Sequence, residues 1–337
     1  HEQRHLAPGP QARRVNHVLV VAAARGQPRR YGALRRAPCF HVCDPPDHVS
    51  ACDVPQLRHA LAGGVVLELA ERFGVRAACV LAAAPARTQP GFLCVLPDLA
   101  PAAMPGGTRA TLEPWRNTVA QLHAHLGLDA FAREWADLEL CRDLARRPLD
   151  LVAGMIARGI NSPLSSSCGR LFDAVAAAVG VCRDQASYEG EAAIALEALV
   201  DAAGASSPHP AAVADRSSTG AVATGRGYPF AVRPGSPRIL DPAPLWPALL
   251  ADLRSGVAAG VVAARFHAGL ADAVVGLAAD LAAARDLGTV ALSGGVFQNR
   301  ILVERVASGL RRRGLAVLQH RQVPANDGGL ALGQAAV

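Results

Sequence analysis

From Met104 onward, apolar residues recur at helical spacing, interrupted by short unbroken apolar runs. Segments 113–126, 138–147 and 149–158 read as amphipathic helices, the last stopped by Gly159 and Asn161. A polar turn, 161–167, precedes an apolar helix, 171–179, that ends at Gly180, and an alanine-rich helix, 189–203, follows. Residues 204–226 are rich in Ser, Gly, Ala and Pro and read as a mobile loop or a crossing between lobes. Beyond them the pattern predicts a short strand at 229–233, helices at 245–254 and 256–281, and a buried strand at 289–292. A glycine turn, 293–295, opens onto a helix at 299–312. A strand at 316–320, a loop at 323–329 and a helix from Leu330 complete the pattern. Strand, glycine turn, helix and strand in that order make an α/β layout.

The first hundred residues behave differently. Residues 1–38 are rich in Arg, Pro, Gly and Ala around one strand-like run, 15–24. Segment 54–72 can form a helix weakened by Gly63-Gly64, while 76–84 and 92–96 suit either a strand or a buried helix.

Composition narrows the class. The 337 residues are 51% hydrophobic and 18% charged, a globular balance. Apolar runs such as 256–264 fall short of the roughly 20 residues a membrane helix needs, so no membrane span is expected. No signal peptide is recognisable, and the start at His1 reads as a fragment. The net charge of +6 is carried by arginine alone, with 12 Arg against 7 acidic residues in 1–100. Nucleic-acid binding would want aromatics among the arginines, and these make up only 4%. The 8 cysteines are scattered without Cys-x-x-Cys spacing, which suggests reduced thiols and a cytoplasmic setting. Cys39, His41, Cys43 and Cys52 make a poor zinc pattern.

Four segments carry candidate chemistry. In LSGGVFQNR (292–300), Gly294 and Gly295 let backbone approach a ligand, the helix start offers N–H groups to an anion, and Gln298 and Asn299 offer amides. A plain strand–helix turn explains the glycines equally well. In VPANDGGLALGQA (323–335), Asp327 is placed to meet a metal or metal-bound phosphates, or to cap the last helix. In SSSCGRLFDAV (165–175), Gly169 and Arg170 follow a serine turn, and Asp173 on an apolar helix should face solvent or a polar cleft. In YEGEAA (188–193), Glu189 and Glu191 sit at a helix start, where the dipole alone could account for them.

Taken together and in this order, these segments resemble the C-terminal domain of the HypF carbamoyltransferases, which mature [NiFe]-hydrogenases. MPGG (104–107), EPWR (113–116) and ARFHAGLA (264–271) fit the same family, and the resemblance covers about 96–337. It implies an actin-like ATPase fold (sugar kinase/Hsp70, RNase H-like) of two lobes, incomplete at the N-terminal lobe. The division it suggests is a helical part at 105–203, the loop 204–226 and a nucleotide-binding lobe at 227–337. It further implies ATP and carbamoyl phosphate as sources of carbamoyl-adenylate, a divalent metal (zinc, iron or magnesium), and transfer to the C-terminal cysteine of a HypE-like acceptor. Carried over, Gly294, Gly295 and Asn299 line the adenosine side, Gly169, Asp173 and Glu189 contact the nucleotide, and Asp327 is a metal ligand.

The departures are confined to 1–95. The family's HHHAH-type metal motif, DGTGYG-type phosphate loop and WGGE are missing there. His1 and His5 have i,i+4 spacing but the wrong surroundings, and His123 and His125 fall on a helix whose solvated face would hold them. The expectation is that 1–95 comes from a shifted reading frame or is a degenerate remnant, the alternative being a divergent lobe. Competing functions are an inactive fragment and a related tRNA threonylcarbamoyl or O-carbamoyl transferase.

Overall fold

The computed structural model describes residues 19–24, 92–95, 98–205, 226–235, 238–284, 287–321 and 324–326. The helical expectations at 54–72 and from Leu330, the run 76–84, the zinc pattern and Asp327 all lie outside the described residues.

The largest sheet has the order β2-β1-β8-β9, from β1 (Leu19–Ala24), β2 (Phe92–Val95), β8 (Leu287–Ser293) and β9 (Ala316–Gln319). The ambiguous run at 92–96 is thus a strand. β8 and β9 run parallel with Thr289 opposite Ala316, as neighbours of one sheet. On its other side β8 pairs antiparallel with β1, Val20 lying opposite Leu292. Residues 290–293 are all buried, as befits an inner strand covered on both faces.

A second sheet joins distant chain segments. β3 (Asp98–Leu99) pairs parallel with β7 (Ile239–Asp241), which pairs antiparallel with β6 (Ala231–Arg233). β4 (Ala102–Ala103) and β5 (Leu164–Ser165) form a third, two-residue ladder. None of β3, β4, β5 and β7 is predicted by the sequence pattern.

The helices in chain order are α1 (Arg109–Leu112), α2 (Trp115–His125), α3 (Leu128–Glu134), α4 (Glu139–Leu144), α5 (Leu149–Arg158), α6 (Cys168–Ala178), α7 (Glu191–Ala205), α8 (Leu245–Arg254), α9 (Ala259–Ala284) and α10 (Arg300–Arg312). α6 lies between α2 and α7, and α9 packs on α7, α10 and β8. The rings of Phe172 and Phe266 meet edge-on, 4.9 Å apart, where α6 faces α9. α9 is long and apolar enough, at 26 residues, to match a membrane span by length and composition. The run-length expectation missed this because its apolar stretches are broken by single polar residues. Most of the helix is packed inside the molecule, so its apolar character serves the core.

Two close approaches fasten the segment entering β6. A Cβ at Gly269 would lie 2.1 Å from the Tyr228 carbonyl oxygen, and one at Gly227 would lie 2.4 Å from the Gly269 nitrogen. The Tyr228 N–H donates to the Arg265 carbonyl. Backbone therefore rests on backbone, which only glycine permits.

Candidate functional site

The turn after β8 differs from the expected one. Gly294 adopts φ +108°, and a 3-10 turn, Gly295–Gln298, separates it from α10. The Gly294 N–H donates to the Ala325 carbonyl at 2.8 Å, and Asn326 donates to Gln298 at 3.2 Å. Segment 324–326 is thereby tied to the turn. Beside it opens a cavity of about 380 Å³, lined by Leu292, Phe297, Gln298, Gln319, His320 and Ala325 among others. It lies at the C-terminal ends of the parallel pair, the usual position for a ligand in an α/β sheet. His320 Nε2 is 2.8 Å from Ser293 Oγ, and burial lowers the imidazole pKa.

The start of α10 does not offer free N–H groups to an anion, contrary to expectation. Asn299 Oδ1 accepts from the Leu302 N–H at 2.8 Å, capping the helix. Glu197, on α7, accepts from the N–H groups of Arg300 at 2.9 Å and Ile301 at 3.3 Å. A carboxylate of the chain itself therefore occupies the positive end of the dipole. The Asn299 amide nitrogen is engaged too, donating to His267 Nε2 at 3.0 Å. His267 is wholly buried and uses Nδ1–H on the Ala263 carbonyl, which leaves Nε2 as the acceptor. Asn299 thus serves as cap and core tether, with its amide directed inward.

The start of α6 is arranged the other way. Its N-cap, Ser167, makes no capping bond, and its Oγ is buried without a hydrogen-bond partner among the described residues. Gly169 lies in the same turn, where a Cβ would come 3.5 Å from that hydroxyl. Asp173, expected toward solvent or a cleft, is only 2% exposed. Its Oδ2 lies 2.7 Å from Arg170 Nη1, whose Nη2 is 3.3 Å from Glu189 Oε1. Burial pushes the Asp173 carboxyl up to about 6, Arg170 holds it down, and Glu189 pushes it up. Glu189 precedes α7, outside the helix the pattern assigned it to, and its side chain is 64% exposed. Burial raises the neighbouring Cys168 thiol to about 12, so it carries no thiolate near neutrality.

The two regions adjoin. α6 touches the 3-10 turn, and Phe172, the neighbour of Asp173, stacks edge-on against His267 at 5.3 Å. His267 in turn holds Asn299. Glu197, His267 and His320 are not among the candidate residues of the sequence pattern. His267 and Arg170 lay within quoted motifs, whereas a mid-helix Glu197 gives no local signal.

His125 departs from the solvated face expected of it. Its side chain is buried rather than solvated, with Nε2 3.1 Å from Gln121 and Nδ1 3.8 Å from Asp241. Desolvation lowers its pKa despite that carboxylate. Among the described residues, no group of three or more His, Cys, Asp or Glu side chains could hold a metal ion.

These features define a class: an α/β domain with a cavity at the end of a parallel strand pair and a buried carboxylate on a helix that touches the adjoining turn. The family model for "Carbamoyltransferase, Kae1-like Domain, second subdomain" matches residues 95–334. The chain belongs to the HypF carbamoyltransferase family. It is 41% identical to carbamoyltransferase HypF of Rhodobacter capsulatus over 239 residues, 71% of this chain and 27% of that protein. It is 41% identical to a HypF homolog of Cupriavidus necator over 250 residues, 73% of this chain and 57% of the relative. A crystal structure of full-length HypF in the phosphate- and nucleotide-bound form superposes with a TM-score of 0.58 at 27% identity, covering 72% of this chain and 28% of that one. The chain thus spans between about a quarter and just over half of these relatives.

Proposed function

We propose that the chain is the C-terminal, nucleotide- and carbamoyl-handling part of a HypF-type carbamoyltransferase. It takes carbamoyl-adenylate, formed from carbamoyl phosphate and ATP, and passes the carbamoyl group to the C-terminal cysteine of a HypE-like acceptor. The cysteine sulfur attacks the carbamoyl carbon, the C–O bond to the phosphate breaks, AMP leaves and the thiol proton is lost. The product is the precursor of the cyanide ligand of a [NiFe]-hydrogenase.

The observation that carries this reading is the buried Asp173, with Arg170, Glu189 and the partnerless Ser167 hydroxyl, at the start of a helix that touches the 3-10 turn after Gly294. Carboxylate acceptors suit ribose hydroxyls, and a glycine turn leaves room for the base. The nucleotide-bound relative supports the same ligand class. Asp327 remains the candidate metal ligand, one step beyond the tied segment 324–326.

The inactive-fragment reading is favoured by one observation, the missing histidine and glycine-loop motifs of 1–95. A lone aspartate holds a divalent cation poorly, since hard cations take six or more oxygen ligands. The unmodified chain is accordingly expected to transfer little or no carbamoyl. Replacing 1–95 with an intact family lobe should restore carbamoylation of the acceptor cysteine, and Asp327→Ala should then abolish it. The readout is the acceptor's mass, with carbamoyl phosphate, ATP and the upstream domains supplied. Full transfer by the unmodified chain would overturn this.

A further inference from the structure

Three buried polar atoms at the start of α6 lack a hydrogen-bond partner among the described residues: Ser167 Oγ, Arg170 Nη1 and Asp173 Oδ2. The last two lie 2.7 Å apart, yet off the axis of a hydrogen bond. Buried polar atoms are ordinarily satisfied, so the partnerless Ser167 hydroxyl and a misaligned ion pair within two turns of it mark a place where hydrogen bonds await another group.

We propose that Arg170 is a positioning residue that braces Asp173 and Glu189 as one acceptor pair for the nucleotide. This rests on the nucleotide reading above. Arg170 and Asp173 are one turn apart on α6, whereas Glu189 arrives from the segment ahead of α7. A guanidinium presents its donors in a fixed planar fork, so one arginine can hold two carboxylates at a set separation. The Arg170 side chain is itself 9% exposed, so packing keeps the fork from swinging into solvent.

The brace also sets charge. Asp173 is 2% exposed, an environment in which an isolated carboxylate would take up a proton. The charged and titratable groups facing it are Arg170 from its own helix, Glu189 from the segment before α7, and Cys182 from the turn after α6. Arg170 alone among them favours the carboxylate. Because their contact is poorly aligned, Asp173 can keep its counter-charge while turning its oxygens to ligand hydroxyls.

The test uses the full chain with adenosine as the probe. Calorimetric binding is measured from acid to alkaline pH for the parent, Arg170→Met, Arg170→Lys and Asp173→Asn. Carbon-13 NMR of the Asp173 carboxyl follows its titration separately. In Arg170→Met the Asp173 midpoint should rise above the parent's, and affinity at neutral pH should fall about tenfold for each unit by which that midpoint comes to lie above 7. Affinity should return at higher pH, which a merely structural defect would not do. Arg170→Lys should shift the midpoint the same way by less, and it serves if the methionine variant does not fold. An unmoved midpoint in the folded variants overturns the brace. If Asp173→Asn leaves adenosine binding unchanged, the nucleotide reading fails instead, and the NMR titration still decides the brace.

Discussion

Asp173 carries a charge that its surroundings barely tolerate. With the carboxyl pushed up to about 6, it is ionised at neutral pH and takes a proton as the pH falls through that value. Nucleotide binding is therefore expected to weaken below about pH 6, and Asp173→Asn should flatten that response; binding isotherms across pH check both. Asn299 gives a contrasting expectation. Its amide caps α10 and meets His267, so Asn299→Ala should cost about 1–2 kcal/mol, read from urea denaturation. Sequence alone put Asp173 on an apolar helix and Asn299 where a helix follows the glycine turn, and both lie there. It did not show which way either side chain points. An Asp on an apolar helix looks solvent-seeking until a guanidinium one turn away and a crowded helix layer bury it. An Asn after a glycine turn looks available until the helix beyond it claims its oxygen.

Helices were legible where a local stop signal closes them. α5 spans its predicted 149–158, ended by Gly159 in the left-handed conformation, and α8 spans its predicted 245–254. β3, β4, β5 and β7 are two or three residues long and owe their existence to partners far along the chain, as with Leu99 opposite Leu240. No short-range pattern encodes such pairing. The contact at Gly269 belongs to this scale. Gly269→Ala would drive a methyl against the Tyr228 carbonyl, and overpacking of this kind typically costs about 1–3 kcal/mol. The expected result is a lowered melting temperature and faster amide exchange at Tyr228, by calorimetry and hydrogen-exchange NMR. The Tyr228 hydroxyl bonds Asp252, which also holds Arg265, so a shift there would be felt on α8 as well as α9.

At the scale of the molecule, the α/β class was legible and the sheet order was not, since β1 and β2 come from the stretch without family motifs. A variant starting at 97 would bare the β8 edge that β1 covers. Open edges recruit other strands, so light scattering should reveal more self-association than in the full chain. The segments on either side of 206–225 are interlaced through contacts that no covalent link supplies. Leu99 lies opposite Leu240, Trp246 reaches Gln121, Arg254 grips Asp137, Glu197 caps α10, and Phe172 packs on Phe266. Two separately expressed pieces divided within 206–225 should find one another and co-purify on the strength of these contacts.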